Sequence, residues 1–329
     1  MKQRSARTFC FIAFLLAGIS LPVCAQLTSE QQSAKSQGTE LYNQLKGASA
    51  LPYLQIAATA GDSEAQYYLG EAIRKNKRYI DAAAKEAYEA SAEQGNIYSM
   101  IRLGQMGGDL CATMNNCPKS QKTPVEWLTS AKSLATEEAA QGNAESMYLM
   151  YEITGDKKWL EQSAENGFAL SQYLLATDYR EGGGFFLLPS SRADAVERWM
   201  KASAEGGYPR GMTGLATALF ERKDLEGARN WTERAAATGY VEAIFNYGYY
   251  LSGKNSDFGF PVDFVKSYAL LSLFLELDGG GGAKEDAEYV ISKIREKINK
   301  AQLDEADTFA ANWKKTHPAL SFFPFKLSR

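Results

Sequence analysis

One short pattern recurs six times along the chain, and it constrains the fold more than any other feature of the sequence. In each copy a small residue is followed after three positions by glycine, then after four by a second small residue, and after four more by a large, mostly apolar residue. Repetition at periods of roughly 20–50 residues is the signature of a repeat architecture. The glycines of the six copies are Gly61, Gly95, Gly142, Gly167, Gly207 and Gly239.

This spacing predicts a pair of helices in each copy. Glycine adopts the left-handed conformation that ends a helix at little steric cost, so the first helix should end there and a second should begin within a few residues. In the second helix the small residue and the apolar residue four positions later share one face, where a small side chain lets two backbones approach closely. The predicted fold class is all-α, an α-solenoid of stacked helix pairs with a C-terminal helical cap.

The ends of the second helices carry a resemblance to a known family. Tyr68-Leu69-Gly70, Arg102-Leu103-Gly104 and Asn246-Tyr247-Gly248 resemble the small-x-x-x-Leu-Gly ending of Sel-like repeats, which are related to tetratricopeptide repeats. The resemblance covers about residues 50–275, and its motifs are specific for the fold but not for a function. Copies three to five depart from it, with Tyr151, Ala176 and Ala216 in place of the last glycine.

The first residues predict a secretory signal peptide. Basic residues precede an apolar run from Phe9 to Leu21, and Val23-Cys24-Ala25 fits cleavage after Ala25. The alternative is a lipoprotein cut before Cys24, which would have to accept Pro22 just upstream. We therefore expect a periplasmic protein, and the mature chain has 33 basic and 39 acidic side chains, a charge of −6. An acidic exported chain is a poor partner for nucleic acid.

Four segments follow from this organisation. Residues 1–25 are the signal peptide, residues 26–45 a poorly ordered segment rich in Gln and Ser, residues 46–275 the solenoid, and residues 276–329 capping helices with a tail. A cap is expected because the last repeat would otherwise expose its apolar stacking face to water. No later stretch has the roughly 18 consecutive apolar residues that a membrane helix needs, so we expect no membrane span.

The residues that usually carry chemistry are sparse. The mature chain has two cysteines, Cys111 and Cys117, and we expect a disulfide between them because the compartment is oxidising. So small a ring contributes only about 2 kcal/mol. Two thiolates are too few for zinc, and His317 is the only histidine, far away in sequence. We therefore predict no enzyme, and no catalytic, cofactor-binding or metal-binding residues.

Two surfaces are candidates for binding a partner. The first is formed by the long connectors Gly107–Thr123, Glu181–Arg192 and Asn255–Asp263, which all join second helices to first helices and should emerge along one edge. Large apolar side chains there either fold back or make contacts, since exposing them is costly. The second is the concave wall, where tyrosine offers contact area at low rotamer cost. The candidate residues are Phe185, Phe186, Leu187, Leu188, Phe258 and Phe260 in the connectors, and Tyr67, Tyr98, Tyr148 and Tyr173 on the wall.

The resemblance supports two functions of the protein-binding class. Exported members of the family are encoded beside antibacterial toxins, which implies an immunity protein that blocks a periplasm-delivered toxin such as a type VI secretion lipase effector. The alternative is a periplasmic regulator or scaffold of an envelope signalling or assembly complex. The identity of the neighbouring gene would discriminate between the two functions.

Overall fold

The protein is all-helical over the part of the chain that the structure describes. The computed structural model describes residues 27–120, 122–254, 257–278 and 282–328, and the predicted signal peptide lies outside the described residues. Within these ranges the chain forms seventeen α-helices, two short 3₁₀ helices and one isolated β-bridge. None of the described helices is long and apolar enough to cross a bilayer.

Six helix pairs match the six copies of the sequence pattern. Successive helices pack side by side along the chain, as stacked pairs do, so the predicted α-solenoid is confirmed. The pairs are α2 (Gly47–Thr59) with α3 (Ser63–Lys77), α4 (Ala82–Glu93) with α5 (Ile97–Gly104), α7 (Pro124–Ala140) with α8 (Ala144–Thr154), α9 (Lys157–Glu165) with α10 (Ala169–Arg180), α11 (Pro189–Glu205) with α12 (Pro209–Glu221), and α13 (Leu225–Ala236) with α14 (Val241–Leu251).

The repeat glycine makes the turn inside every pair. All six glycines have a left-handed φ, between 84° and 92°. In the first three copies the next residue, Asp62, Asn96 or Asn143, accepts a hydrogen bond from a backbone amide in the first turn of the second helix. Glycine followed by a capping side chain therefore ends one helix and starts the next within two residues.

The last glycine of the pattern allows neighbouring pairs to pack closely. A Cβ atom on Gly70 would lie 2.7 Å from the Tyr88 ring in α4, and one on Gly248 would lie 2.9 Å from Leu271 in the helix that follows α14. Trp159, Trp199 and Trp231, one in the first helix of each of the last three pairs, are half-buried against the core.

The segment before the repeats differs from the expectation. Residues 26–45 were predicted to be poorly ordered, but helix α1 (Ser29–Asn43) forms there and packs on α2. Composition misled the prediction, because the Gln- and Ser-rich sequence hides a helix start signal. Thr28 and Gln31 form a capping box, and Gly38 allows close approach to Leu54.

The C-terminal helices cover the last repeat. Helix α15 (Phe264–Ser272) packs on α14, and α16 (Ala283–Arg295) and α17 (Lys300–Thr316) both pack on α15. Val290, Ile291, Ile294 and Ile298 are buried, whereas Tyr289 is 61% exposed.

The solenoid curves until its two ends meet. The Nζ atom of Lys46, at the start of α2, donates to the main-chain oxygen of Glu276, before α16, over 2.8 Å. After α17 the chain turns inward, and the Phe322 amide donates to the Asn43 carbonyl at the end of α1 over 2.9 Å. We call residues 318–328 the tail. The tail runs along the inner wall of the solenoid.

Candidate functional site

The four tyrosines predicted on the concave wall take part in three separate contacts between aromatic rings. Tyr67 and Tyr98 are buried, with ring centroids 5.8 Å apart. The other two contacts join Tyr148 with Phe168 at 5.6 Å and Tyr173 with Tyr208 at 5.4 Å. We call the inner surface formed by these rings the groove.

The tail occupies the groove, mainly through its main chain. The Ser321 amide donates to the Gly239 carbonyl and the Ser321 carbonyl accepts from the Val241 amide, at 2.9 and 3.0 Å, in a parallel bridge. Arg210 donates to the Phe322 carbonyl over 3.2 Å. Further along, Tyr67 and Arg102 both donate to the Lys326 carbonyl. The tail is therefore held by its main chain at both ends of the groove, and it turns between Phe325 and Ser328, where the Ser328 amide donates to the Phe325 carbonyl over 3.0 Å.

Three tail side chains also contact the wall. Phe323 packs edge-on against Tyr240, with ring centroids 5.9 Å apart, and Phe325 lies 5.1 Å from the Arg210 guanidinium. The Lys326 ammonium lies 4.4 Å from the centroid of the Tyr98 ring and 3.7 Å from the Glu145 carboxylate. The Tyr98 hydroxyl donates to the same carboxylate over 2.6 Å. Burial raises the pKa of Tyr98 well above its ordinary value, so this hydroxyl stays protonated.

A buried charge cluster closes the far end of the groove. Glu71 is fully buried and accepts hydrogen bonds from Arg102 at 2.5 Å, Tyr88 at 2.7 Å and Arg74 at 3.2 Å. Burial alone raises the pKa of Glu71, but the two arginines outweigh that effect and the net pKa lies below its ordinary value. The carboxylate therefore stays charged and fixes both arginines, which donate to the Ser328 carbonyl at 2.6 and 3.0 Å.

A cavity remains between the tail and the wall. Its volume is about 530 Å³, and both the wall and the tail line it. Aromatic side chains contribute from both sides, and carboxylate and ammonium groups come from Glu145 and Lys326. The aromatic lining residues are Tyr68, Tyr98, Tyr148, Phe168, Tyr208, Phe323 and Phe325.

The predicted disulfide between Cys111 and Cys117 is present. Cys111 is fully buried in the short helix α6 (Leu110–Thr113) of the first long connector. The connector is also attached to α4, because Lys85 donates to the Lys119 carbonyl over 3.0 Å. The disulfide thus closes a local loop beside the second repeat. Among the described residues there is no group of three His, Cys, Asp or Glu side chains that could hold a metal ion.

The second long connector presents its apolar side chains in two ways. Phe186 folds back, with its ring 5.1 Å from Tyr179 and 4.8 Å from the Arg192 guanidinium. Its neighbours Phe185, Leu187 and Leu188 are 87%, 85% and 60% exposed. We call these three residues the apolar patch. One anchored aromatic therefore holds three large apolar side chains in contact with solvent.

The third long connector folds back onto the solenoid. Phe258 stacks between Phe220 and Tyr250, with centroids 4.3 and 4.5 Å away. Phe260 is buried against Tyr247 and Tyr250. Of the two alternatives that the sequence leaves open, folding back describes these two residues. The structure therefore separates them from the apolar patch.

Sequence reasoning missed both the tail and three aromatic residues that face it or line the cavity beside it. In copies four to six the residue after the repeat glycine is Phe168, Tyr208 or Tyr240, where the first three copies have a capping Asp or Asn. All three begin a second helix without a side-chain capping hydrogen bond. This switch, and the aromatic sequence Phe322 to Phe325 after the last helix, were the available signals.

Two solved structures of repeat proteins are similar to this chain. One similar structure, a protective antigen present in uropathogenic Escherichia coli strains that displays an SLR fold, has 20% identity and a TM-score of 0.48; the match covers 88% of this chain and 62% of that one. A second, a Sel1 repeat protein from Oxalobacter formigenes, has 19% identity and a TM-score of 0.43, with coverage of 87% and 88%. The structural neighbours of this chain are therefore Sel1 repeat proteins.

Both TM-scores lie under 0.5, so we rest the fold on the helix pairs and glycine turns of the chain itself. No family model matches the sequence, and no curated protein matches it. A fold of this kind does not by itself identify a function, which has to be argued from particular surfaces. The two candidate surfaces are the groove and the apolar patch.

Proposed function

We propose that the chain is an exported, non-catalytic scaffold that binds another protein through its apolar patch. The observation that carries this proposal is the exposure of Phe185, Leu187 and Leu188 beside the anchored ring of Phe186. Burying one large apolar side chain stabilises a protein by about 1.5–3 kcal/mol. Three such side chains in solvent lack this stabilisation, and burying them against a partner would provide it.

The most specific form of the proposal is an immunity protein that binds and blocks a periplasm-delivered antibacterial toxin, such as a type VI secretion lipase effector. The signal-peptide pattern supports it, and so does the family resemblance to exported proteins encoded beside such toxins. An enzyme that takes acyl chains presents an apolar entrance, and an apolar patch on a rigid base is complementary to that chemistry. Blocking would require only stoichiometric binding.

Growth protection tests this proposal directly. The full chain is co-expressed with the periplasm-directed product of the neighbouring gene, and survival is scored for the wild type and for Phe185→Asp with Leu187→Asp. We expect the wild type to protect and the double variant to lose protection while keeping its helical circular dichroism. Val125→Asp, at an exposed apolar residue outside the connector, is the matched control and should protect fully.

Two results would overturn the proposal or redirect it. Equal protection by the wild type and the double variant would remove the apolar patch from binding. A neighbouring gene for a sensor or an envelope-assembly protein, together with absence of protection against any lipase effector, would favour the periplasmic regulator or scaffold. Turnover that one carboxylate substitution abolishes would instead reveal an enzyme.

A further inference from the structure

We infer that the groove is a binding site for a polypeptide segment of a partner, and that the tail occupies it as the chain's own ligand. The segment it takes carries two aromatic side chains separated by one residue and then a cation, as Phe323-Pro324-Phe325-Lys326 do. This inference deepens the proposed protein-binding role and rests on it. It concerns a different surface from the apolar patch.

Main-chain recognition is the first argument. The groove donates hydrogen bonds to the carbonyls of Ser321, Phe322, Lys326 and Ser328. Every polypeptide carries these carbonyls, so the contacts provide affinity that does not depend on sequence. Specificity then comes from the side-chain contacts of Phe323, Phe325 and Lys326 with the wall. Peptide-recognition sites divide affinity and specificity in this way.

The aromatic residues after the repeat glycines are the second argument. A capping side chain at that position stabilises a helix by about 1 kcal/mol, and three consecutive units lack one. Phe168 and Tyr208 instead line the cavity, and Tyr240 packs against Phe323. Helix stability is given up at the three positions where an aromatic ring reaches the groove or its cavity. Packing between repeats does not require this, because the first three units stack with Asp or Asn there.

Partial filling of the groove is the third argument. Residues 322–328 are all only half-buried, although three of the four wall tyrosines, Tyr67, Tyr98 and Tyr148, are buried. The cavity of about 530 Å³ remains between the tail and the wall, with aromatic side chains on both sides. A segment with larger or better placed side chains would bury more apolar surface than the tail does, which is what displacement by a partner requires.

The attachment of the tail allows this exchange. Pro318 and Ala319, the first two residues of the tail, are exposed, and His317 at the end of α17 stacks on Trp313 at 3.6 Å. Leu320, Phe322 and Phe323 pack against the buried core of the last repeats and the cap, but they are themselves only half-buried. Rotation at residues 318 and 319 therefore lets the tail leave the groove by separating these three side chains from the core, with every helix intact.

A peptide supplied in trans tests the inference on the full chain. A fluorescein-labelled peptide with the sequence of residues 318–329 is titrated into the wild type and into Phe323→Ala with Phe325→Ala and Lys326→Ala, which weakens the tethered tail but leaves the wall intact. A tether gives an effective concentration on the order of millimolar. We expect the triple variant to bind the peptide at least about tenfold more tightly than the wild type.

Two controls locate the binding. A labelled peptide carrying the same three alanines should not bind. Adding Arg210→Ala to the triple variant should weaken binding of the unaltered peptide about tenfold or more, because Arg210 contacts both Phe322 and Phe325. A well-folded triple variant that does not bind the peptide would overturn the inference. So would peptide binding that Arg210→Ala leaves unchanged.

Hydrogen exchange of the wild type keeps the inference testable if the triple variant does not fold. The amides of Ser321 and Phe322 should exchange at least about tenfold faster than those of α13 and α14, since the tail opens locally. If the amides of Ser321 and Phe322 exchanged only when the whole protein unfolds, as those of α13 and α14 do, the inference would be overturned. None of these measurements involves the apolar patch. A negative result for the groove therefore leaves the growth-protection result unaffected, and a negative growth-protection result leaves the peptide-binding result unaffected.

Discussion

Replacing Gly239 by alanine should loosen the tail, because the tail passes directly over this residue. A Cβ atom on Gly239 would lie 3.0 Å from the Pro318 carbonyl oxygen and closer still to that of Ala319. Gly207 provides a matched control. It has the same φ of 84° and the same place in its repeat, but a Cβ atom there would meet nothing within 4 Å.

The difference between the two variants can be estimated from these contacts. Alanine in the left-handed conformation costs about 1–2 kcal/mol at either position. At Gly239 the tail must also move, which breaks the two main-chain hydrogen bonds between Ser321 and the turn, each with a net contribution of about 0.5–1.5 kcal/mol. We therefore expect Gly239→Ala to lower the free energy of unfolding by about 1–3 kcal/mol more than Gly207→Ala does.

Urea unfolding followed by circular dichroism measures both free energies, and hydrogen exchange reports whether the tail has moved. The Ser321 amide should lose its protection in Gly239→Ala and keep it in Gly207→Ala, while the amides of the core helices remain protected in both. Equal destabilisation of the two variants, with the Ser321 amide still protected, would refute the packing of the tail on this turn.

Four further variants test the rest of the structure by equilibrium unfolding. Phe258→Ala should lower the free energy of unfolding by about 2–3 kcal/mol, because it removes the central ring of a half-buried aromatic stack. Phe185→Ala should change the free energy of unfolding by less than about 0.5 kcal/mol, because its ring is exposed. Equal losses in the two variants would contradict the placement of the two rings. The lowered pKa of Glu71 stabilises the fold above the ordinary carboxyl pKa, and this stabilisation is lost as the pH falls through the lowered value. Glu71→Gln should therefore lower the free energy of unfolding by about 3–5 kcal/mol at pH 7. The variant should also lose less of its remaining stability as the pH is lowered, and an unchanged loss of stability at acid pH would count against this role of Glu71. Cys111→Ala with Cys117→Ala should cost about 2 kcal/mol, and loss of all helical structure would show a larger role for the disulfide.

The repeat itself could be predicted from the sequence because its signals are local. A glycine that must adopt a left-handed φ, and a small residue that must face a neighbouring helix, act over a few residues, and Gly61 and Gly70 show both effects. The disulfide was predictable for the same reason, since its cysteines are six positions apart.

The groove could be predicted only in part because its tail contacts are long-range. The wall tyrosines follow from their phase in the repeat, but the partner of Tyr67 is Lys326, 259 positions away. That contact depends on the total curvature of the solenoid, which small rotations between successive pairs determine. Helix α1 was missed for a different reason, since composition was given more weight than its capping box.

Cross-linking of the monomer with a short amine-reactive reagent tests the central claim most directly, namely that the tail lies in the groove of a closed solenoid. Lys75 contacts Ser328, two residues beyond Lys326, and Lys46 and Lys314 both contact Glu276. Mass spectrometry should therefore find links from Lys326 to Lys75 and from Lys314 to Lys46. Links from Lys326 only to lysines of α16 and α17, in a monomer that still gives the link from Lys314 to Lys46, would contradict the placement of the tail.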